Sequence, residues 1–370
     1  MWRSWTVPAL ILGLLATPAA SQDAQTWTRC LNRNQSEVLR TVVEACTAFI
    51  SDRQNEQTRA VALTLRGNAY LLKGDPDSAI ADHSESIRLD PASPLGFLAR
   101  GSAYYIKKDY RRSILDLDEA IRLDPKSALA LTLRASAYSD QKDYDRALAD
   151  YSAAIRLDSR LAIAFAGRGN TYVASGDPNR GLSDINEAIR LNPGLAIAFV
   201  YRGNAYSNQN EYRRAIESYD EGIRLDPGNT AAYYCRGNAH VAARDFDDAI
   251  ADYSEAIKRD PRNARAYANR GAAYLEKRDG ARARGDLNEA LRLDPKDALA
   301  YFNRGNVAIY EGHLDSAVAD YSQAIRLDPN NATAIRNRGI AYTAKGELER
   351  ATADFIEVRR LNQKRETPTQ

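Results

Sequence analysis

Small and apolar residues recur along this chain with a period of 34 residues, longer than a single helix or strand produces. A glycine, or once an alanine, marks each period, and an arginine directly precedes it. Apolar residues around these positions are spaced three and four apart, as on one face of an α-helix. A polar break and a second helical pattern follow, and a proline ends that pattern in most copies. The marking residues, called the small column below, are Gly67, Gly101, Ala135, Gly169, Gly203, Gly237, Gly271, Gly305 and Gly339.

One unit, residues 196–229, shows both helical patterns. Phe199, Gly203 and Tyr206 share a helical stripe in its first segment, and its second segment ends before Pro227. Polar residues just ahead of a helix can accept hydrogen bonds from the free amides of its first turn. The pattern therefore predicts nine helical hairpins in series. The predicted N-caps of first helices are Asn229, Asn263, Asp297 and Asn331.

The period and its recurring residues resemble the tetratricopeptide repeat family. They include the Arg-Gly pair, a tyrosine three residues later and an alanine twelve residues later. The resemblance spans residues 60–365 as nine consecutive repeats. It implies an all-α fold, a right-handed superhelical solenoid of antiparallel helix pairs with a concave groove. Because the ends of such an array need caps, we expect residues 22–59 to form a lead-in with a capping helix at Ser36–Arg53. Residues 366–370 read as a polar tail.

The first 21 residues differ from the rest of the chain. They carry one early charge, Arg3, then an apolar run from Val7 to Ala16 and a stretch of small residues. The run is shorter than the about 20 apolar residues that span a bilayer, but it is typical of a secretory signal peptide. We therefore expect an exported protein, periplasmic or secreted, with no stable membrane span after signal removal. An uncleaved anchor is the alternative.

Cysteine usage fits an oxidising compartment. Cys30 and Cys46 stand 16 residues apart just beyond the predicted signal, and a disulfide between them would contribute about 3 kcal/mol. Two unpaired thiols are the alternative. Cys235 has no obvious partner, and we expect it to pack as a small apolar group.

Charge and histidine content argue against nucleic-acid binding and catalysis. The 51 basic and 49 acidic residues leave a net charge of +2, with no basic excess to bind phosphates. His83, His240 and His313 lie in different units and different columns, which does not suggest a metal or catalytic cluster. We therefore expect no catalytic residues, no metal and no cofactor.

Every unit except one carries an aspartate at a fixed position of its second helix, and Ser218 is the exception. The matching arginine column suggests ion pairs repeated within or between units. Exposed pairs of this kind contribute a few tenths to about 1 kcal/mol each. We expect them to set register and solubility rather than stability.

Ligands of this family usually lie along the concave face built by the first helices. The resemblance assigns that face to positions one, four and five residues after the small column and two, three and six before it. Here these positions are apolar in the first units and richer in Asn toward the C-terminus. An Asn amide both donates and accepts, so it can pair with the backbone of an extended peptide; alternatively, these amides cap or bond locally. The candidate groove residues are Asn170, Tyr201, Asn204, Asn208, Tyr234, Asn238, Arg265, Asn269, Phe302, Asn303, Asn306, Arg336 and Asn337.

The sequence thus favours an exported, non-enzymatic scaffold that binds a peptide or protein segment in its groove. One alternative is a regulatory or accessory subunit of a cell-envelope enzyme, although the lead-in and nine repeats leave little room for a catalytic domain. A second alternative is a chaperone adaptor of the endoplasmic-reticulum lumen. In that case Asn34 and Asn331 would be glycosylation acceptors.

Overall fold

The computed structural model describes residues 36–51 and 55–366. Across those two ranges the chain forms 19 α-helices and no strand. Helix α1 (Ser36–Ser51) precedes nine helix pairs, and each pair corresponds to one repeat of the sequence. The predicted signal peptide, Cys30 and the tail beyond residue 366 lie outside the described residues.

Each repeat contributes a first and a second helix, numbered in chain order. The first helices are α2 (Glu56–Lys73), α4 (Pro94–Ile106), α6 (Ala128–Asp140), α8 (Ala162–Ala174), α10 (Ala196–Asn208), α12 (Thr230–Ala243), α14 (Ala264–Glu276), α16 (Ala298–Tyr310) and α18 (Ala332–Ala344). The second helices are α3 (Pro76–Leu89), α5 (Tyr110–Leu123), α7 (Tyr144–Leu157), α9 (Pro178–Leu191), α11 (Tyr212–Leu225), α13 (Phe246–Arg259), α15 (Gly280–Leu293), α17 (Leu314–Leu327) and α19 (Leu348–Glu366).

The small column lets the two helices of a repeat approach closely. A Cβ added to Gly169 would lie 2.7 Å from the backbone oxygen of Gly181 on the facing helix. A Cβ on Gly271 would lie 2.8 Å from the Leu287 side chain. Because interiors are close-packed, larger side chains at this column would push the paired helices apart.

The turn between the two helices of every repeat passes through a residue with positive φ. This residue lies seven positions after the small column, and its φ ranges from 60° at Asn210 to 93° at Gly176. Glycine adopts this left-handed conformation freely, whereas other residues are strained there. Glycine fills the position at Gly74, Gly176, Gly312 and Gly346, and other residues fill it at Lys108, Lys142, Asn210, Arg244 and Arg278.

Side-chain caps begin several of the first helices. Asn263, Asp297 and Asn331 each accept a hydrogen bond from the backbone amide three residues further on. These three predicted N-caps are therefore confirmed, and each satisfies a donor that the helix itself leaves unpaired.

The arginine and aspartate columns form a partly buried ladder, so the expectation of exposed pairs is wrong. Arg270 donates Nε and Nη2 to the two carboxylate oxygens of Asp286, at 2.7 and 2.8 Å. These side chains are only 18% and 11% exposed, because the two columns face each other across the closely packed helix pair. The same pairing joins Arg66 to Asp82, Arg100 to Asp116, Arg134 to Asp150, Arg168 to Asp184, Arg236 to Asp252, Arg304 to Asp320 and Arg338 to Asp354.

The same eight arginines also connect their repeats to the helix that comes before each repeat. The remaining nitrogen, Nη1, donates to a polar side chain on the preceding second helix, as from Arg270 to Ser254 at 2.8 Å. Arg66, the first of the column, donates instead to Thr47 of α1 at 3.0 Å. The acceptors in other repeats are Ser84, Asp118, Ser152, Asp220, Asn288 and Ser322.

Helix α1 caps the first repeat. Val42, Cys46 and Phe49 pack against Leu65 and Ala69 of α2. Cys46 is fully buried and disulfide-bonded. Its predicted partner, Cys30, lies outside the described residues, so that pairing stays a prediction.

The helices group into two units. The first unit comprises the described residues up to Gln209 together with Arg224–Asn229. The second unit comprises Asn210–Ile223 and the described residues from Thr230 onward. The first unit therefore holds α1 to α10, and the second holds most of α11 and all of α12 to α19.

Candidate functional site

The second unit contains an open groove of about 800 Å³ along its first helices. Side chains of α12, α14 and α16 line most of it. Five of the predicted groove residues lie on its walls and are half-buried, so their polar or aromatic groups can be reached from outside. These five are Asn238, Asn269, Phe302, Asn303 and Asn306.

The other lining residues fall into two groups. Some occupy positions that the family resemblance assigns to the concave face, and others lie outside those positions. Arg244, Phe246 and Tyr253 also line the groove, although they lie in the turn and on the second helix of the sixth repeat. The sequence prediction considered only first helices and therefore missed them. The positive φ of Arg244 turns the chain so that α13 begins with Phe246 beside the groove. The lining residues at predicted columns, beyond the five above, are Val241, Ala242, Ala272, Leu275 and Glu276.

A hydrogen-bonded cluster joins the sixth and seventh repeats on the groove wall. Asn269 donates its Nδ2 to the Asn238 Oδ1 at 2.9 Å and to the Tyr234 hydroxyl at 3.1 Å. The Tyr253 hydroxyl donates to the same Asn238 oxygen at 2.8 Å. Burial raises the pKa of Tyr253, so its phenol stays protonated and remains a donor.

The eighth and ninth repeats form the same arrangement. Asn337 donates its Nδ2 to the Asn306 Oδ1 at 3.1 Å, and the Tyr321 hydroxyl donates to that oxygen at 2.8 Å. Burial raises the pKa of Tyr321 to about 12. The Asn306 Oδ1 atom thus accepts two hydrogen bonds from side chains of the protein itself.

These clusters agree in part with each of the two interpretations of the groove asparagines, as peptide contacts and as locally bonded side chains. The amides of Asn238 and Asn306 lie in the groove, yet their oxygens are held by local hydrogen bonds. Among the described residues, their Nδ2 groups and both amide ends of Asn303 have no hydrogen-bond partner. The local bonds therefore fix the amides of Asn238 and Asn306 in place and leave their Nδ2 donors unpaired.

The other second-unit candidates lie outside the lining. Tyr234 and Asn337 take part in the clusters, while Arg265 and Arg336 are exposed on first helices. Cys235, beside Tyr234, is a free cysteine, and burial raises the pKa of its thiol to about 11.

The concave columns of the first unit are largely filled by their own side chains. Leu65, Leu98 and Leu133 are buried, as is Tyr105, whose hydroxyl donates to Asp140 at 2.6 Å. A cavity of only about 20 Å³ is found along α2, and Asn68 is among its lining residues. The groove residues predicted in this unit are not among those that line this small cavity.

Four predicted groove residues belong to this first unit. Tyr201 is half-buried. Burial is the main cause that raises the pKa of its phenol, and the nearby Tyr151 and Asp140 raise it further. Asn170 and Asn204 are half-buried, and Asn208 is exposed at the end of α10. None of these four is among the residues that line the groove of the second unit.

The described residues give no geometry for metal binding. No group of three or more His, Cys, Asp or Glu side chains in residues 36–51 and 55–366 is placed to hold a metal ion. His83 is fully buried, and burial lowers the pKa of its imidazole to about 3. Over the same residues, no helix is both long and apolar enough to cross a membrane.

An array of paired helices with an accessible groove defines a class of proteins whose fold supports binding to other proteins. Tetratricopeptide repeat models match residues 60–93, 97–127 and 234–298, and a TPR repeat model matches residues 135–176, 203–243 and 306–346. These segments cover more than half of the chain, and the chain belongs to the tetratricopeptide repeat family. A search of curated protein sequences finds no significant match.

Solved structures with the same fold include the Cut9 and Hcn1 hetero-tetramer of the APC/C, at 16% identity and a TM-score of 0.66. That match covers 90% of this chain and 66% of the other, and it shows the fold alone. YrrB, described as a TPR protein with an unusual peptide-binding site, is 25% identical with a TM-score of 0.40, over 50% of this chain and 95% of its own. A tetratricopeptide repeat protein from Parabacteroides merdae is 19% identical with a TM-score of 0.49, over 67% of this chain and 98% of its own.

Proposed function

We propose that this protein is a non-enzymatic scaffold that binds an extended peptide or protein segment in the groove of its second unit. The observation that carries the proposal is the set of accessible amides on the groove wall, two of which are held in place by local hydrogen bonds. The donors of Asn238 and Asn306 and the whole amide of Asn303 are available to a peptide backbone. Backbone pairing gives affinity for an extended chain independently of its sequence.

Apolar contacts supply the second element of recognition. Phe302, Phe246 and Leu275 line the groove beside the amides. Phe302 packs against Tyr321 with ring centroids 5.9 Å apart, which holds its ring in position. Aromatic residues in such settings often dominate the binding energy of a protein interface. Arg244 and Glu276 place one charge of each sign on the lining, so we expect a ligand that is extended and partly apolar rather than strongly charged.

Peptide selection on the purified chain tests the proposal. Peptides selected from a random display library would be labelled, and their affinity measured by fluorescence anisotropy. Phe302→Ala is expected to weaken binding by about tenfold or more. Asn303→Ala is expected to weaken it by about threefold to tenfold, because it removes both ends of a free amide.

A matched control comes from the first unit. Ile106 is 37% exposed and lies five residues after the small column, on the face predicted to be concave. Ile106→Ala should leave the affinity unchanged. Equal losses in both units, or full binding by Phe302→Ala, would contradict the proposal.

The proposal also places the protein outside the cytoplasm. The signal-like sequence at residues 1–21 and the disulfide-bonded state of Cys46 support this location. N-terminal sequencing of the protein from its native source should find a mature chain that begins after Ala20 or Ser21. A cytoplasmic protein that retains Met1 and two alkylatable thiols at Cys30 and Cys46 would refute it.

A further inference from the structure

The last helix of the array presents an apolar face that the other repeats do not have. In the first eight repeats the residue seventeen positions after the small column is polar, and seven of these residues accept a hydrogen bond from the next arginine, as Ser322 does from Arg338. The ninth repeat has Ile356 there, and its side chain is 63% exposed. Leu348 and Phe355 on the same helix are 63% and 41% exposed.

Unpaired charges flank this apolar face. Among the described residues, Glu349 and Arg359 have no ion-pair partner, whereas Arg350 pairs with Glu347 and Arg360 with Glu357. Glu349 lies two helical turns before Ile356, and Arg359 lies one turn after it. The face therefore has an acidic end, an apolar middle and a basic end.

The order of these groups makes the face complementary to itself. If two α19 helices pack antiparallel around a two-fold axis beside Asp354, Glu349 of one copy meets Arg359 of the other, twice. In the same register Ile356 lies against Thr352 of the partner copy, and the two Ile356 side chains adjoin. The arrangement pairs both free charges and covers the exposed apolar groups.

At the opposite end of the array, a helix of the same chain already covers the first repeat. Helix α1 already covers α2 through Val42 and Phe49, and Thr47 takes the hydrogen bond that a preceding repeat would accept. Helix α19 also runs for 19 residues, whereas the second helix of each other repeat has 14.

We infer that two copies of this chain associate through the face formed by Leu348, Glu349, Thr352, Phe355, Ile356 and Arg359. The contact is small compared with obligate dimer interfaces, so the dimer is reversible and depends on concentration. It lies on the terminal second helix and is independent of the proposed peptide groove.

Sedimentation analysis of the purified chain across a wide range of concentrations tests this inference. The wild-type chain is expected to pass from monomer to dimer. Ile356→Asp is expected to weaken the association by about tenfold or more, since it places a charge in the apolar middle. Leu115→Asp is the matched control, because Leu115 is a leucine on α5 that is 60% exposed, and it should leave the dimer intact.

Charge reversal tests the antiparallel register. Glu349→Arg alone and Arg359→Glu alone should each weaken self-association by about fivefold, because like charges then face each other. A mixture of these two variants should form a heterodimer of about wild-type affinity, since both contacts again join opposite charges.

Thermal melting of each variant, read by circular dichroism, confirms that the exposed substitutions leave the fold intact. A wild-type chain that is monomeric at every concentration overturns the inference. So does a dimer that survives Ile356→Asp, or a mixture of the charge variants that associates no better than either alone. A monomeric chain whose C-terminal face binds another protein counts against self-association in the same way.

Discussion

The concave columns of the two units have the same repeat positions but different accessibility. Three residues before the small column, the second repeat has Leu98, which is buried, and the eighth has Phe302, which lines an open groove. One residue after the column, the first repeat has Asn68, which is buried, and the eighth has Asn306, which lies on the groove wall. The same position can therefore stabilise one unit and present a ligand contact in the other.

The largest expected difference concerns Leu98 and Phe302. Leu98→Ala removes a side chain from a buried cluster with Ala99, Leu117 and Leu133, and should lower the free energy of unfolding by about 2–5 kcal/mol. Phe302→Ala should cost less stability but abolish most of the peptide affinity. Urea denaturation and anisotropy on both variants measure the contrast. A stability loss at Phe302 as large as that at Leu98 would remove the distinction between the two units.

The Arg–Asp ladder is present in both units, and its arginines differ in how many carboxylates they contact. Arg270 has a single carboxylate partner, Asp286, so Asp286→Ala leaves a partly buried charge with Ser254 alone. We expect a loss of about 3 kcal/mol. Arg134 keeps a second carboxylate, Asp118, after Asp150→Ala, and that loss should be smaller. Denaturation monitored by hydrogen exchange in each unit checks the order, which equal losses would contradict.

A third test uses the residue sixteen positions after the small column. That residue is His83 in the first repeat, whereas the last four repeats have Tyr253, Leu287, Tyr321 and Phe355 there. Burial first, and then Arg100, lower the pKa of His83 to about 3, below the unfolded value of about 6.5. As the pH falls through this window, the unfolded chain binds a proton that the folded chain excludes, so stability is lost.

The wild-type chain should therefore lose about 2 kcal/mol more than His83→Tyr between neutral pH and about pH 5. The tyrosine is the matched choice because Tyr151 occupies the same column in the third repeat. Urea midpoints at several pH values give the difference. Parallel pH profiles for the two proteins would show that His83 accepts a proton in the folded state.

A smaller difference in stability is expected between two asparagines that stand one residue after the small column, Asn306 and Asn68. Asn306→Leu removes two hydrogen bonds and strands the buried Tyr321 hydroxyl, which should cost about 1–3 kcal/mol. Both amide atoms of Asn68 are buried and have no partner among the described residues. Asn68→Leu should therefore be neutral or slightly stabilising. Thermal melting distinguishes the outcomes, and a loss above about 1 kcal/mol at Asn68 would contradict this account.

The smallest expected change in stability concerns the turn residue with positive φ, seven positions after the small column. Lys142 in the first unit and Gly312 in the second both have positive φ, at 64° and 78°. Lys142→Gly should raise the free energy of unfolding by about 0.5 kcal/mol, and Gly312→Ala should lower it by about 1 kcal/mol. Changes in melting temperature of opposite sign are expected. A destabilised Lys142→Gly would mean that its side chain contributes more than the strain costs.

The helix pairs were predictable because their period is carried by backbone and packing requirements. A residue such as Gly169 faces the backbone of Gly181, and only a small side chain fits there. Asn238, Ala272 and Asn306 stand one residue after the small column, a position that the family resemblance assigns to the concave face, and they line the open groove. The helix pairs thus follow from the spacing, whereas the position of the concave face follows from the family resemblance.

The accessibility of each column was not predictable from spacing. Leu98 and Phe302 are both large and apolar in the sequence, and only the packing of neighbouring side chains buries one and exposes the other. The tyrosine and asparagine clusters require the relative positions of two successive repeats. The polar acceptors of the arginine ladder, such as Ser254 and Asn288, recur at the repeat period and could have been found from that signal.

Hydrogen–deuterium exchange with a selected peptide bound shows which helices contact the peptide. We predict that the peptide slows exchange in α12, α14 and α16, whose side chains form most of the groove wall. Exchange in α2, α4 and α6 should not change. Protection confined to those first-unit helices, or to the second helices of either unit, would contradict the assignment of binding to the groove of the second unit.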